Sequence, residues 1–383
     1  MISKRLVYIT PHNWYDHVEN NNINRPLKIM EHLIEKKYFL NILIVNRLKP
    51  SRVLNIKKTR RKLVYKKLFF NLYFDDIAKV YYLEHCLPFG CIEEIFLPFV
   101  IAYVSRKMGV GIYHGLLWVC DPKSAGMIRR MKNYDNLFDA YDDWSLSPLF
   151  RKRRRHLKYI TNGYKIVKKY ADNIIVNTNY MKKKLETSKN NVALISNTSS
   201  FSCNLMHYSS NKNIKKKIGY IGNLHERLDL ALIDEMVTSF PKIKFIFIGK
   251  NQFKTNEFNK LITKHNNIIL VDSIPYEKVP EYIAAFDVCI VPHVVNKYTL
   301  SQDSMKIYDY LAFGKPIVTT PVPPADHLNE IIYAAKTKTE FIEKIKLALH
   351  ENDESKKIKR LIFMKNNTWS KKVASIYSML EEK

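Results

Sequence analysis

The sequence predicts an α/β protein with two tandem, doubly wound, Rossmann-like domains. The chain has 383 residues, which is too long for one compact core. Short apolar runs alternate along it with segments that have apolar residues at helical spacing. This alternation stops at 196–217, where Ser, Asn and Lys predominate, and then resumes. We therefore expect an N-terminal domain at 1–200, a C-terminal domain at 214–365 and a closing helix at 366–383.

The first half begins with a strand, a helix and a second strand. Residues 6–10 and 40–45 are short apolar runs, and residues 25–36 between them have apolar side chains at helical spacing. This βαβ order implies a parallel sheet. The same reasoning predicts further strands at 79–83, 136–141 and 173–176, and helices at 93–107, 124–131 and 151–170.

The second half repeats the alternation more regularly. Its predicted strands are 217–221, 244–248, 268–271, 288–291 and 316–319, and its predicted helices are 228–240, 279–286 and 306–313. A final helical pattern at 369–380 is compatible with packing on either domain. In doubly wound sheets, ligands bind at the carboxyl ends of the strands, so we expect the site there.

A glycine loop follows the first strand of the second half. Residues 218–223 read Ile-Gly-Tyr-Ile-Gly-Asn. Gly222 allows the backbone to approach a ligand closely, and the helix that follows supplies amides that can hold a phosphate. The pattern is not Gly-x-Gly-x-x-Gly, so a simple strand-to-helix turn is the alternative interpretation.

A second motif, at 304–318, reads Ser-Met-Lys-Ile-Tyr-Asp-Tyr-Leu-Ala-Phe-Gly-Lys-Pro-Ile-Val. Lys306 and Asp309 are three residues apart, so they share one face near the start of the predicted helix. A cation at this point can bind a diphosphate, and a carboxylate one turn later can accept hydrogen bonds from ribose hydroxyls. The alternative is an amphipathic helix with a surface ion pair.

Adjacent acids end a predicted strand in the first half. Residues 138–145 read Phe-Asp-Ala-Tyr-Asp-Asp-Trp-Ser, and either Asp142 or Asp143 can act as a general base toward an acceptor hydroxyl. Their proximity is expected to raise the pKa of one of them. Helix capping or a plain surface loop is the alternative. His114 and Asp121, in the preceding loops, are further candidates for acceptor contacts.

The 304–318 motif resembles the donor-binding motif of GT-B glycosyltransferases, Lys-x-x-Glu-Tyr-Leu-Ala-x-Gly-Lys-Pro-Val-Val. Residues 287–293 resemble the strand and loop before it, and 272–282 resemble the loop that packs on the nucleobase. The resemblance implies the GT-B fold with a donor cleft between its two domains, and a nucleotide-diphosphate sugar, UDP- or GDP-linked, as substrate. The donor contacts that it implies are Gly222, Asn223, Arg227, Tyr276, His293, Ser304, Met305, Lys306 and Asp309.

Neither a metal nor a cofactor is expected. The chain has no Asp-x-Asp sequence, so Lys306, Arg227 and the glycine-loop amides would neutralise the leaving diphosphate. Asp309 stands where the family usually has Glu. Because Asp is shorter, a catalytically inactive scaffold with the same fold is an alternative.

Two further similarities concern the acceptor. Met305 stands where Pro is common, and the Met-Lys pair resembles the membrane-associated glucuronosyltransferase of xanthan synthesis. The Asp-Asp-Trp segment at 142–144 resembles teichuronic acid and exopolysaccharide glycosyltransferases, whose inverting members use an Asp in this loop as base. The resemblance thus implies inverting transfer to a glycan or polyprenyl-pyrophosphate-linked acceptor during surface polysaccharide synthesis.

The chain is strongly basic, with a formal net charge of +27. Residues 49–68 hold nine basic residues and no acid, next to the apolar Phe69 and Phe70, and residues 151–155 are five consecutive cations. These stretches predict attachment to the anionic inner face of the cell membrane. A solvated basic surface is the alternative.

The remaining bulk features limit the function classes. The apolar stretch at 95–104 is interrupted by Pro98 and falls short of the roughly 20 residues that a spanning helix needs. The apolar run that follows Lys4 and Arg5 is too short for a signal peptide, so we expect a cytoplasmic, peripheral protein. The charge alone would also suit a nucleic-acid-binding protein. Because the sequence contains no recognisable DNA or RNA module, we expect no nucleic-acid partner.

Overall fold

The computed structural model describes residues 5–20, 24–47, 61–109, 114–201 and 216–382. These residues form two compact units. The first ends at Ile195 and also includes the chain from Lys372 onward, and the second is Ser196–Lys371. The first residues of the expected 196–217 linker therefore belong to the second unit, whereas 202–215 lie outside the described residues.

The first unit has a nine-stranded sheet with helices on both faces. Its elements, in chain order, are β1 (Arg5–Thr10), α1 (Trp14–Asn20), α2 (Arg25–Glu35), β2 (Asn41–Arg47), β3 (Arg61–Lys66), β4 (Phe70–Asp75), β5 (Val80–His85), α3 (Cys91–Lys107), β6 (Leu116–Val119), α4 (Gly126–Arg130), β7 (Asp135–Ala140), α5 (Arg154–Tyr170), β8 (Asn173–Val176), α6 (Asn179–Leu185) and β9 (Asn191–Leu194). The strand order is β3-β4-β5-β2-β1-β6-β7-β8-β9.

Most strands of this sheet are parallel and buried on both faces. The residues of β1, β6 and β8 are all buried, which explains why these segments are continuous apolar runs in the sequence. A buried ion pair links α2 to the sheet, since Arg25 Nε lies 3.1 Å from Asp139 Oδ1. The chain order reverses between β1 and β6, so a ligand crevice is expected at the carboxyl ends of these two strands.

The β3–β4 hairpin at one edge of the sheet was not predicted. It pairs antiparallel within itself and with β5. The basic stretch at 49–68 runs into it: residues 48–60 lie outside the described residues, and 61–66 form β3. Lys62 and Lys66 are exposed on this strand, so cationic side chains line the edge, which discourages pairing with another sheet.

The second unit has a six-stranded sheet in which all strands are parallel. Its elements are β10 (Lys217–Ile221), α7 (Leu230–Ser239), β11 (Lys244–Ile248), α8 (Glu257–Lys264), β12 (Ile268–Val271), α9 (Val279–Ala285), β13 (Val288–Val291), α10 (Lys297–Leu300), α11 (Met305–Ala312), β14 (Ile317–Thr319), β15 (Tyr333–Ala334), α12 (Lys338–Leu349) and α13 (Glu354–Asn366). The strand order, β12-β11-β10-β13-β14-β15, reverses between β10 and β13.

The last helix, α14 (Trp369–Glu381), runs from the second unit into the first. Its Val373 and Ile376 are buried. The Tyr377 ring lies 4.3 Å from that of Tyr38, measured between centroids, so the end of the closing helix packs on the first unit. In the described part of the chain, none of the helices combines the length and the apolar character that crossing a bilayer requires.

Candidate functional site

The chain-order reversal of the second sheet brings the glycine loop next to α11. Gly222 follows β10 with φ +141°, a conformation that favours glycine. A Cβ atom at this position would lie only 2.9 Å from Lys306 Cε. The absence of a side chain at Gly222 therefore lets Lys306 approach the loop backbone.

The next loop of the sheet supports the glycine loop from behind. The Gly222 amide donates a 2.9 Å hydrogen bond to the Ile248 carbonyl. Gly249 follows with φ +142°, and a Cβ atom there would be 2.2 Å from the Gly222 carbonyl oxygen. Both loops therefore need glycine. The sequence analysis assigned no role to Gly249 and missed this supporting contact.

Lys306 is the central cation of a cluster of polar residues around the glycine loop and the start of α11. It is the second residue of α11, and its ammonium nitrogen lies 4.9 Å from the centre of the Tyr220 ring. The pKa of Lys306 is lowered to about 7. Burial is the main cause, the charge of the nearby Arg227 adds to it, and Asp309 acts in the opposite direction. A bound anion would reverse this shift, because it would favour the charged form.

Arg227 lies near Lys306, next to two histidines. Its Nε donates a 2.9 Å hydrogen bond to His225 Nε2, and Nη1 donates to Gln302 Oε1 at 3.1 Å. Burial, followed by Arg227 and Lys306, lowers the pKa of His225 to about 3. Burial and then Lys306 also lower the pKa of His293. The histidines are thus neutral at pH 7, and the positive charge comes from the arginine and the lysine.

The start of α11 contributes further polar groups to this cluster around Lys306. Ser304 is the N-cap residue, but its side chain makes no capping hydrogen bond. Its Oγ is buried without a hydrogen-bond partner in the described structure, so this hydroxyl can donate to a bound group. Met305 is the first helical residue, and the free amides of this first turn favour an anion.

Asp309 lies one turn further along α11. It accepts a 2.6 Å hydrogen bond from Ser199 Oγ. Burial raises its pKa to about 7, against the opposing effects of Ser199 and Lys306. The segment that carries Ser199 is fixed to the start of α11, because the Asn197 amide donates to Asp303 Oδ2 at 2.5 Å. The sequence analysis did not predict the contact between Ser199 and Asp309. Its boundary at residue 200 placed Ser199 in the N-terminal domain, whereas Ser199 belongs to the second unit.

An aromatic pair lies near Asp309. The rings of Tyr276 and Phe201 stack with centroids 4.6 Å apart and an interplanar angle of 13°. Burial raises the pKa of Tyr276, and Asp309 raises it further. Phe201 was not predicted, since nothing in its local sequence indicates a partner that follows 75 residues later. Of the expected donor contacts, Asn223 is the exposed one, directly after Gly222.

In the first unit, the two adjacent acids have different environments. Asp143 is buried and caps the short helical turn Trp144–Leu146. Its carboxylate pairs with Lys184 Nζ at 2.5 Å. Asp142 is partly exposed, and its backbone carbonyl accepts a 2.7 Å hydrogen bond from the Tyr164 hydroxyl. The carboxylate of Asp142 is therefore the more accessible of the two.

Asp142 lies beside a tyrosine–histidine pair that the sequence did not reveal. Burial raises the pKa of Tyr141, and the charge of Asp142 is the next largest cause. The Tyr141 hydroxyl is 3.0 Å from His12 Nε2. His12 follows β1 and Tyr141 follows β7, so both lie at the carboxyl edge of the sheet. The sequence offered one indication of this pair, because each of the two residues follows closely after a buried strand.

The remaining two acceptor-side candidates separate in the structure. Asp121 is buried after β6, where it caps the turn Pro122–Ser124 and lies 3.9 Å from Arg47. His114 is exposed and precedes β6. It therefore lies at the amino edge of the sheet, opposite the acids. The four residues of β6 separate His114 from Asp121, and the assignment of both as acceptor contacts stays a prediction.

Comparison with known proteins matches this site to one family. Residues 215–351 match the model of "Glycosyl transferases group 1". TuaH of Bacillus subtilis (strain 168), a putative teichuronic acid biosynthesis glycosyltransferase, is 23% identical over 213 residues, which are 51% of this chain and 52% of TuaH. The chain thus matches about half the length of this curated relative.

Two solved structures have the same fold over the whole chain. An α,α-trehalose 6-phosphate synthase from Burkholderia multivorans matches with a TM-score of 0.65 and 10% identity, covering 100% of this chain and 99% of that one. Anabaena HepE, solved with UDP and glucose, matches with a TM-score of 0.66 and 14% identity, covering 100% of both chains. At such identities the likeness concerns the fold alone. The fold class predicted from the sequence is confirmed.

Proposed function

We propose that this chain, which has the GT-B fold and carries a glycosyl transferases group 1 domain at 215–351, transfers a sugar from a nucleotide-diphosphate donor to an acceptor hydroxyl. The pair of cations at the carboxyl edge of the second sheet, Lys306 and Arg227, carries the proposal. Burial beside Arg227 holds the pKa of Lys306 at about 7. Such an arrangement of cations suits a ligand with two or more negative charges.

In this proposal the cluster of polar residues around Lys306 binds the donor diphosphate. Lys306 and the first amides of α11 bind one phosphate, the backbone of the glycine loop approaches the other, and Ser304 Oγ donates to a phosphate oxygen. When the bond to the sugar breaks, negative charge grows on the diphosphate. Fixed cations and amides at this point stabilise the transition state more than the ground state. Neither a metal nor a cofactor takes part.

The nucleoside would lie further along α11. Asp309 accepts hydrogen bonds from the ribose hydroxyls, which compete with the Ser199 hydroxyl for the same carboxylate. The Tyr276–Phe201 pair offers an aromatic surface to the base. Because Anabaena HepE was solved with UDP and glucose, UDP is the first nucleotide to test, followed by GDP.

The acceptor is activated in the first unit, with Asp142 as the general base. Its carboxylate takes the proton of the acceptor hydroxyl while the hydroxyl oxygen bonds to the anomeric carbon. The bond from that carbon to the β-phosphate oxygen breaks, and the nucleotide diphosphate leaves. Attack from the side opposite the leaving group inverts the anomeric configuration. The accessibility of the Asp142 carboxylate supports it over the buried Asp143.

The acceptor that we propose is a glycan or a polyprenyl-pyrophosphate-linked glycan of a surface polysaccharide. The name of TuaH supports an envelope polysaccharide. The net charge of +27 supports work on anionic lipid at the inner face of the cell membrane.

The proposal is tested first by ligand binding. Thermal-shift and calorimetric titrations with UDP, GDP, ADP and CMP should identify one nucleotide that raises the melting temperature. At 100 times its Kd, a ligand adds about 2.7 kcal/mol to the free energy of unfolding. Transfer from the matching nucleotide sugars is then assayed with and without lipid-linked acceptors. If no nucleotide diphosphate binds, the proposed function is wrong.

A further inference from the structure

Helix α3 exposes its apolar side. Ile92, Ile95, Phe96, Phe99 and Tyr103 are all exposed, and Phe99 is 71% exposed. Their spacing of three and four residues places them along one face of the helix. A helix on the surface of a protein in water normally has polar residues on this face, so the outward face of α3 calls for a partner.

The acids of the same helix face inward. Glu93 is 1% exposed and pairs with Arg47, with His85 Nε2 3.6 Å away. Glu94 pairs with Arg129 at 2.5 Å. The inward face of α3 therefore holds both of its negative charges in ion pairs. The outward face has no acid, and the exposed Arg106 and Lys107 follow its apolar residues.

The β3–β4 hairpin extends this surface. The ring of Tyr65 on β3 lies 5.5 Å from that of Tyr103 on α3, between centroids, and Lys107 Nζ lies 5.8 Å from the centre of the Tyr65 ring. At the hairpin turn, Leu68 is 85% exposed and Phe69 is 55% exposed. The hairpin thus contacts α3 at Tyr103, and we name the exposed apolar side chains of the turn and of the helix together the α3–hairpin surface.

All exposed charges that the structure describes on β3, on the 67–69 turn and on α3 are basic. They are Lys62, Lys66, Lys67, Arg106 and Lys107. An apolar surface with these cations on the same elements matches the interface of an anionic bilayer, where acyl chains lie beneath negatively charged headgroups. A protein partner would usually meet a mixture of charges, as on the rim of most interfaces.

We propose that the α3–hairpin surface inserts into the headgroup region of an anionic membrane, with Phe96, Phe99, Leu68 and Phe69 as the inserted side chains. This deepens the proposed function, because a lipid-linked acceptor requires work at a bilayer. It also differs from simple electrostatic attraction of the basic stretch, since the apolar side chains of α3 supply the binding. Attachment can be measured without any sugar transfer, so the two proposals fail separately.

The first test is co-sedimentation of the full chain with vesicles. Phosphatidylcholine vesicles are compared with vesicles that also contain phosphatidylglycerol, for the wild type and for the double variant Phe96→Ser/Phe99→Ser. Removal of two exposed aromatic anchors should weaken binding to anionic vesicles by about tenfold or more. The matched control is Leu347→Ser/Ile362→Ser, which removes two exposed apolar side chains of the second unit and should bind like the wild type.

The second test measures insertion directly. Phe99→Trp keeps an aromatic side chain, and its fluorescence should shift to the blue and be quenched by bromine-labelled lipid tails. The circular dichroism spectrum and the melting temperature of the Ser double variant should equal those of the wild type, which verifies that it folds. If the wild type binds anionic vesicles and the double variant binds equally well, or if lipid bromines do not quench the Phe99→Trp signal, insertion is refuted.

A third outcome distinguishes a protein partner. Sedimentation velocity without lipid reports whether the wild type self-associates. If it forms a dimer that the Phe96→Ser/Phe99→Ser variant loses, and anionic vesicles do not bind, the α3–hairpin surface is an interface between copies and the proposal is overturned. Vesicle binding by a chain that transfers no sugar would leave this inference intact and contradict only the proposed function.

Discussion

The ammonium nitrogen of Lys306 lies 4.9 Å from the centre of the Tyr220 ring, and its side chain runs beside the backbone of Gly222. The electron-rich face of the ring favours the charged form of Lys306. Burial has the larger effect, because the pKa is lowered to about 7 rather than raised. Lys306 is therefore a cation that lacks sufficient counter-charge until an anion binds.

Diphosphate binding should accordingly take up a proton at Lys306. With a pKa of about 7 in the free protein, Lys306 is about nine-tenths neutral at pH 8 and binds a proton when a diphosphate favours the charged form. Calorimetry of UDP binding in buffers with different ionisation enthalpies should give an uptake of about 0.9 proton at pH 8. Asp309 has a similar pKa of about 7 and is mainly ionised at pH 8, so its proton release hardly interferes there.

Two substitutions separate charge from titration at this position. Lys306→Arg keeps a charge that does not titrate, so it should still bind UDP but without proton uptake. Lys306→Ala should weaken binding by about 1.5–3 kcal/mol, the usual contribution of a hydrogen bond to a charged group, while the melting temperature of the free protein stays near that of the wild type. Equal affinity of Lys306→Ala and wild type would remove Lys306 from the site.

Gly222→Ala should impair donor binding through Lys306. The new Cβ would lie 2.9 Å from Lys306 Cε and would push the ammonium group away, in addition to the strain at φ +141°. Gly109→Ala is the matched control, because Gly109 also has positive φ but has no neighbouring atom within 4 Å of an added Cβ. UDP affinity should fall at least about tenfold for Gly222→Ala, since the displaced contact is worth about 1.5 kcal/mol or more. The Gly109 variant should keep its affinity, and equal losses in both would implicate backbone strain alone.

Asp142→Asn and Asp143→Asn should have different effects. Asp142→Asn should reduce kcat by about 100-fold or more, the usual range for loss of a general base, and leave UDP affinity and stability unchanged. Asp143→Asn breaks the pair with the partly exposed Lys184 and should lower the free energy of unfolding by about 2 kcal/mol, within the usual range for a hydrogen bond to a charged group. Lys184→Met tests the same pair from its other side.

The outcome of this comparison also decides which residue is the base. Chemical denaturation gives the stability of each variant, and initial rates give kcat. If Asp142→Asn retains a near-normal rate, the base is elsewhere, and His12 beside Tyr141 becomes the next residue to substitute.

Asp309→Asn should separate nucleoside recognition from diphosphate recognition. The neutral amide is a weaker acceptor for ribose hydroxyls, so UDP affinity should fall about tenfold. Pyrophosphate has no ribose, and its affinity should not fall. Competition calorimetry with both ligands measures the two effects. A parallel loss for pyrophosphate would mean that Asp309 acts mainly by holding Lys306 in place.

The sequence was sufficient for the elements whose signal is local. Buried parallel strands appear as continuous apolar runs, and the start of α11 has a helix face that pairs Lys306 with Asp309, so the second sheet and its motif were predicted in detail. The β3–β4 hairpin was not predicted, because its exposed strand has no apolar–polar alternation toward a core and is dominated by cations. The direction in which α3 faces was likewise not apparent, since its apolar residues occur on both sides.

By itself, the sequence determined the fold class, the glycine loop, the lysine at the start of α11 and the pair of acids after β7, because each depends on neighbours within one strand–loop–helix unit. Only the tertiary structure decided how these residues are used. Lys184 comes from a different helix and makes Asp143 a buried structural acid, Ser199 reaches Asp309 across more than one hundred residues, and His114 lies at the edge of the sheet opposite to the acids. Burial and charge at a position depend on every segment packed against it, and most of those segments are distant in sequence.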